Sequence, residues 1–107
     1  MVVKWSTVAE DRLKKVFDYY FDVAGHKVAS KIVAKIIESA DSLGTMPFKA
    51  PIEKYLPDCK FVYRSLIVSK IFKVVYFINE KEECIVIATI WDCRQNPVKL
   101  LDETSIT

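Results

Sequence analysis

The chain has 107 residues, of which 51% are hydrophobic, 28% are charged and only two are glycine. This length allows one domain, residues 1–107, with a modest core, and the composition excludes disordered, collagen-like and linker-rich chains. A net charge of +2 is too small by itself to indicate a nucleic-acid-binding protein. The distribution of charge is more informative, because residues 60–78 carry four cations and no acid.

The three cysteines, Cys59, Cys84 and Cys93, are unevenly spaced, and the chain has a single histidine, His26. This pattern argues against a disulfide scaffold and against a metal site, and we expect no cofactor. Cys84 lies in an apolar run and is expected in the core. The first residues lack the long apolar region of a signal peptide, and no apolar run reaches membrane-spanning length. We therefore expect a cytoplasmic protein with reduced thiols and no membrane contact.

The first 44 residues predict a strand followed by two helices. Val2–Trp5 is β-branched and aromatic, as is typical of a strand. Thr7 and Glu10 have the spacing of a capping box, and Gly25 can end the helix that this box would start. Apolar residues then recur at helical spacing up to Gly44, which closes a second helix. Two helices joined at one glycine predict an αα-hairpin with an apolar face on each helix.

The rest of the chain predicts a loop and a sheet. Thr45–Asp58 contains three prolines and has no periodic pattern, so we expect a loop. Three β-branched and aromatic runs follow, Phe61–Val68, Ile71–Ile78 and Cys84–Trp91, as in an antiparallel meander. The predicted fold is α+β, with a short N-terminal strand and a two-helix hairpin packed on an antiparallel sheet of three to four strands.

Positive charge interrupts the apolar strands of this predicted sheet. A charge in an apolar strand costs stability, so its presence needs a reason. One explanation is a shared surface that binds nucleic acid or another anion, and the alternative is that each cation reaches a carboxylate on a loop. In a meander, the end of the third strand lies beside the start of the second strand. This arrangement would place Arg94 near Lys70. The cations are Arg64, Lys70, Lys73 and Arg94.

The geometry of the first hairpin decides which of these cations share a face. A two-residue turn at Ser69-Lys70 would place Leu66 opposite Lys73, and Arg64 opposite Val75. Arg64 and Lys73 would then be diagonal neighbours on one face, within reach of one anion. A one-residue error in the turn would move Lys73 to the opposite face. With the two-residue turn, all four cations are expected to converge at one edge of the sheet.

Three aromatic residues are candidates for contact with a partner protein. Tyr19 lies among charged residues on the polar face of the first helix, so the core does not require it. Its neighbour Tyr20 can extend the same surface. Trp91 at the end of the third meander strand is the third candidate, with core packing as the simpler explanation.

Three further lysines line one side of the second helix at a spacing of four residues. Such a row is typical of a solvated helix face, and nearby Glu38 supports that interpretation. These lysines are Lys27, Lys31 and Lys35.

The order of the predicted elements, with the segments YRSLIVSKIFKVVY and IWDCRQNP, resembles the RelE/ParE toxin superfamily of bacterial toxin–antitoxin systems. The resemblance covers nearly the whole chain and rests on Trp5-Ser6, Arg64, Lys73–Tyr76, and Arg94 with Pro97. It implies a plasmid-stabilisation type of toxin that is neutralised by an antitoxin encoded beside it. The antitoxin's C-terminal segment would wrap around the toxin, which allows a toxin–antitoxin hetero-oligomer.

The superfamily acts in two ways, because RelE-like toxins cleave mRNA on the ribosome whereas ParE-like toxins poison DNA gyrase. If the chain is an endoribonuclease, Arg64, Lys73 and Arg94 are its implied catalytic residues, with a lysine where an arginine is usual. The usual C-terminal acid is missing, since Leu100 stands in its place and no Tyr or His follows Tyr76. The tail from Arg94 is closer to the ParE-like ending, which favours a gyrase inhibitor over an enzyme. The RelE-like nuclease and a non-toxic binding module of the same fold are the alternatives.

Overall fold

The helices and strands follow the predicted order in the computed structural model, which describes residues 1–95 and 99–100. The strands lie side by side in the order β1-β4-β3-β2. Strands β2, β3 and β4 are antiparallel as predicted, whereas β1 runs parallel to β4, so the sheet is mixed. The predicted α+β class is confirmed. The elements are β1 (Val2–Trp5), α1 (Thr7–Ala24), α2 (His26–Ser42), β2 (Tyr63–Val68), β3 (Phe72–Asn79) and β4 (Cys84–Asp92).

Helix α1 begins with a different cap from the predicted one. Ser6 is the N-cap residue, and its hydroxyl oxygen accepts a hydrogen bond of 3.0 Å from the backbone N–H of Ala9. The same hydroxyl donates to the carbonyl oxygen of Ala88 in β4 at 2.8 Å. The prediction of a capping box between Thr7 and Glu10 is therefore wrong, because Thr7 is already the first helical residue.

The two glycines of the hairpin serve different purposes. Gly25 has a φ of +90°, its N–H donates to the carbonyl of Phe21, and its own carbonyl accepts from Ala29. It thus ends α1 and starts α2 in a backbone conformation that other residues rarely adopt. Gly44 is instead required by a close approach, because a Cβ there would lie 2.7 Å from the carbonyl oxygen of Met1. The N-terminal ammonium of Met1 in turn donates to the Gly44 carbonyl at 2.8 Å.

The sheet is covered on both faces. The helix hairpin packs on one face, and the segment between α2 and β2 covers the other, where the ring of Phe61 stacks on Phe77 with centroids 4.0 Å apart. Cys84 is buried, as predicted. The buried residues of the first face include Ala9, Ile36, Ala40, Leu43, Val74, Tyr76 and Ile85. Those of the second face are Leu56, Tyr63, Val75, Phe77, Ala88, Trp91 and Leu100.

The β2–β3 hairpin has one more residue in its turn than predicted. Ser69 and Lys70 both have positive φ, and the N–H of Ile71 donates to the carbonyl of Val68 at 3.2 Å. Val68 then pairs with Phe72 rather than with Ile71. The reason is the apolar pattern, because this register turns Phe72 towards the helices. The predicted register would have turned the charged side chain of residue 73 into that core.

We expect the Ser6→Ala substitution to lower the free energy of unfolding by about 1 to 2 kcal/mol, because it removes the N-cap of α1. Thr7→Ala is the matched control and should change stability by less than about 0.5 kcal/mol, since Thr7 is exposed. Urea-induced unfolding followed by circular dichroism measures both. A larger effect at Thr7 than at Ser6 would restore the capping box.

Candidate functional site

The segment between α2 and β2, residues 43–62 and here called the α2–β2 loop, runs along the outer edge of β2. The N–H of Ser65 donates to the carbonyl of Pro51, and the N–H of Glu53 donates to the carbonyl of Tyr63. These two bonds make a short antiparallel bridge between Ile52 and Arg64. The loop thereby brings its side chains against both faces of the sheet.

Arg64 binds this loop on the face of β2 that the helices cover. Its guanidinium donates to the carbonyl of Ala50 at 2.7 Å and lies 5.1 Å from the ring centroid of Phe48. Tyr76, its neighbour in β3, donates its hydroxyl to the carbonyl of Pro47 at 2.7 Å. Two polar side chains of this face therefore bind carbonyls of the loop.

Lys73 binds the loop from the opposite face, through a buried carboxylate. Its Nζ donates to Oε1 of Glu53 at 2.6 Å, and Glu53 is only 3% exposed. The hydroxyl of Ser65 and the backbone N–H of Tyr55 also donate to this carboxylate, at 2.9 and 3.1 Å. Burial raises the pKa of Glu53, but the hydrogen bonds from Lys73, Tyr55 and Ser65 outweigh it, so the pKa lies below its ordinary value. The Glu53 carboxylate is therefore ionised at neutral pH.

The predicted convergence of the cations is wrong for Arg64 and Lys73. The shifted register pairs Arg64 with Tyr76 and Ile67 with Lys73, which puts the two cations on opposite faces of the sheet. Each also has an acceptor in the α2–β2 loop. The alternative explanation is that each cation binds a carboxylate on a loop, and the structure shows this for Lys73 with Glu53. A catalytic or anion-binding role for these residues stays a prediction.

Lys70 and Arg94 do lie at the same end of the sheet, as expected from the meander. The end of β4 lies beside the start of β3, where the N–H of Cys93 donates to the carbonyl of Ile71 at 2.7 Å. Lys70 is exposed in the β2–β3 turn. Of the four cations predicted to converge, Lys70 and Arg94 therefore lie at the same end of the sheet as predicted.

Arg94 is held by a carboxylate two residues before it. Its Nε and Nη2 donate to the two carboxylate oxygens of Asp92, at 3.0 and 2.7 Å. The hydrogen bond from Arg94 lowers the pKa of Asp92, and this carboxylate raises the pKa of Arg94. An exposed pair of this kind adds little stability, but it fixes the direction of the guanidinium.

A cleft of about 380 Å³ separates α1 from the ends of β3 and β4 and is here called the α1–β4 cleft. Tyr19 is 56% exposed and meets the ring of Tyr20 edge-on, with centroids 5.0 Å apart. Trp91 also lines the cleft, but it is 4% exposed and packs in the core of the second face. Two of the three partner-contact candidates are thus accessible. The cleft is lined by Arg12, Lys15, Val16, Tyr19, Tyr20, Phe72, Ile90, Trp91, Asp92, Arg94 and Gln95.

Sequence reasoning missed Glu53 as a residue that organises this region. The available signal was that Glu53 lies between Pro51 and Pro57 and is the only acid of residues 45–57. An isolated acid in such a loop, beside strands that carry cations, is a candidate for a buried ion pair. Pro97, which contributed to the family resemblance, lies outside the described residues.

Two further findings concern metals and membranes. Among the residues that the structure describes, no three His, Cys, Asp or Glu side chains are grouped closely enough to hold a metal ion. Neither α1 nor α2, the helices of that part of the chain, combines the length and the apolar character needed to cross a membrane.

Comparison with known proteins gives a family match over most of the chain. The model of the family described as "ParE toxin of type II toxin-antitoxin system, parDE" matches residues 3–97. Among solved structures, a chain of the chromosomal ParDE TA system from P. aeruginosa has a TM-score of 0.71 and 22% sequence identity. That likeness, which concerns the fold, covers 86% of this chain and 95% of the other. No curated protein matches the chain at a significant level.

We expect the Lys73→Met substitution to lower the free energy of unfolding by about 3 kcal/mol, because it leaves the Glu53 carboxylate buried without its cation. The double variant Lys73→Met with Glu53→Gln removes both charges and should cost less than the sum of the two single variants. Urea unfolding at neutral pH provides this double-mutant cycle. Additive effects would show that the two side chains do not stabilise one another.

The same pair predicts how stability depends on pH. Because the pKa of Glu53 is lower in the folded than in the unfolded chain, the stabilisation is present above the ordinary carboxyl pKa. It is lost as the pH falls through the folded value, so the wild type should lose stability between about pH 5 and about pH 3. Glu53→Gln should lose less over that range, with the remaining dependence including that of Asp92, whose pKa is also lowered.

Proposed function

The chain belongs to the ParE toxin family of type II toxin–antitoxin systems, and we propose that it arrests growth by inhibiting DNA gyrase rather than by cleaving mRNA. It is the toxin component of such a system, and the family membership implies a cognate antitoxin as its partner. The choice between the two targets rests on the state of the cations that a nuclease would use.

The Lys73–Glu53 pair is the observation that carries this choice. An RNA-cleaving site needs cations that are free to stabilise the charge that develops on a phosphate. Lys73 is 17% exposed as a side chain and is already bound to a carboxylate. Arg64 lies on the other face of the sheet and binds Ala50. Both side chains are thus already engaged with the α2–β2 loop, which supports a target other than mRNA.

The groups that would move protons are also absent from the expected places. Leu100, at the position where RelE-like toxins are expected to carry an acid, is fully buried in the core of the second face. Tyr76 is the last tyrosine of the chain, and it too is fully buried. Burial raises the pKa of Tyr76, and its hydroxyl already donates to the Pro47 carbonyl. General acid catalysis by Tyr76 therefore has no support from this geometry, and the leucine at position 100 has no proton to donate.

The α1–β4 cleft is the surface that we propose for contact with the antitoxin. Tyr19 offers an exposed ring, Tyr20 forms the wall beside it, and Arg94 contributes positive charge at the rim. Tyrosine and arginine are the side chains that most often dominate the energy of protein–protein interfaces. An antitoxin segment with acidic and apolar side chains would complement this combination.

We expect the purified toxin to inhibit supercoiling of a relaxed plasmid by DNA gyrase and to leave mRNA intact on translating ribosomes. Expression from a tightly controlled promoter should arrest growth and induce the DNA-damage response. Rapid loss of mRNA with unaffected supercoiling would establish the endoribonuclease instead, and Arg94→Ala should then abolish cleavage. Normal growth on expression would support the non-toxic binding module.

We expect the Tyr19→Ala substitution to weaken antitoxin binding by at least about tenfold, because it removes the exposed ring of the cleft. Val23→Ala is the matched control, since Val23 is an exposed apolar residue of α1 outside the cleft lining. Isothermal titration calorimetry with the product of the neighbouring gene measures both affinities. Equal affinities of the two variants for the antitoxin would show that the antitoxin binds outside this cleft.

A further inference from the structure

The outer face of α2 carries a row of exposed lysines. Lys27, Lys31 and Lys35 follow one another at four residues, which is a rise of about 6 Å along the helix axis for each step. Ala29 and Ile36, which are buried, mark the opposite face of the helix. In the described part of the chain, no carboxylate lies within ion-pair distance of these three lysines.

The lysines of α1 differ in this respect. Lys14 forms an ion pair with Asp18 at 3.0 Å, and Lys15 forms one with Asp11 at 3.1 Å. The two lysines of α1 are therefore neutralised locally, whereas the lysines of α2 present their charge outward. A helix face that only contacts solvent does not need a row of lysines without carboxylate partners, so the row on α2 calls for a further explanation.

The α2–β2 loop adds a fourth lysine to the row. Lys49 donates to the hydroxyl of Ser42 at 2.8 Å, at the C-terminal end of α2. A shallow depression there is lined by Lys31, Lys35, Lys49, Ser39, Ser42, Ala34 and Glu38. The acids of α2 are Glu38 and Asp41, so positive charge predominates along this surface. We call Lys27, Lys31, Lys35 and Lys49 the lysine row.

The chemistry of the lysine row fits phosphate groups better than a peptide. Ammonium groups act as point charges for phosphates, and a serine hydroxyl such as that of Ser39, which lines the depression, commonly binds phosphate oxygens. A protein partner would instead require large apolar or aromatic anchors. The lining offers only Ala34 as an apolar side chain. A regular series of cations without apolar anchors is suited to a regular series of anions.

We propose that the lysine row binds the sugar–phosphate backbone of nucleic acid without reading its sequence. The proposal goes beyond gyrase inhibition, and only the choice of DNA as the first probe rests on that proposed function. Duplex DNA is the natural first substrate, because the proposed target works on DNA, and duplex RNA carries the same backbone phosphates. The α1–β4 cleft is not part of this surface, since the two share no lining residue.

The test is the salt dependence of binding of the purified toxin to a short fluorescently labelled DNA duplex, followed by anisotropy. Four neutralised phosphates, one for each lysine of the row, predict that affinity falls about 150-fold between about 50 and about 200 mM salt. The variant with Lys27→Gln, Lys31→Gln and Lys35→Gln should bind at least about tenfold more weakly at low salt. Its log–log salt slope should be shallower by about 2.7.

The matched control carries Lys14→Gln, Lys54→Gln and Lys81→Gln, which removes the same net charge at exposed positions outside both surfaces. Melting temperatures of both variants report whether the fold is retained, and glutamine is well tolerated in exposed helix positions. Affinity for DNA that the control retains and the lysine-row variant loses would establish the proposal. An RNA duplex of equal length shows whether the backbone phosphates suffice or DNA is preferred.

Three results would overturn the proposal. The first is that the wild-type toxin does not bind DNA at low salt, and the second is that both variants bind DNA equally well. The third is that poly-glutamate binds the wild type more tightly than DNA does and loses affinity for the lysine-row variant to the same extent. The last result would assign the row to an acidic protein segment. Gyrase supercoiling measured on the same variants is read separately, so loss of DNA binding and loss of gyrase inhibition are distinguishable.

Discussion

The ion pair between Lys73 and the buried carboxylate of Glu53 is the interaction on which the arrangement of the sheet and its loop depends. A carboxylate that is 3% exposed would be costly to bury alone, and it is stable here because three donors surround it. The bond draws the α2–β2 loop across the second face of the sheet. Leu56 and Phe61 of that loop then complete the second core.

The Lys73–Glu53 pair shows that a cation at one position of this fold can serve either stability or chemistry. In a nuclease, a cation at the position of Lys73 would be kept free for a phosphate, whereas here it holds a loop. Arg64 and Tyr76 are used in the same way on the opposite face, each bound to a carbonyl of the loop. The topology of the family is compatible with either activity, so function follows from how these side chains are paired.

The surfaces that the fold leaves available are consequently found elsewhere. The α1–β4 cleft combines the exposed ring of Tyr19 with an oriented guanidinium, a combination suited to a protein partner. The lysine row on α2 has charge without apolar anchors, a combination suited to a polyanion. The two surfaces lie on different helices of the hairpin, so one toxin molecule has room for two kinds of contact.

The sequence alone determined both helices, all four strands and the α+β class, because helical and strand periods are local properties that need no knowledge of distant residues. It also identified Tyr19 as a residue that the core does not require, and Tyr19 is exposed in the structure. Only the tertiary structure decided the face of Lys73, since one extra residue in the hairpin turn reverses every side chain that follows it. Its partner Glu53 lies 20 residues away in an aperiodic loop, where the sequence shows an isolated acid but does not specify which cation of the sheet it contacts.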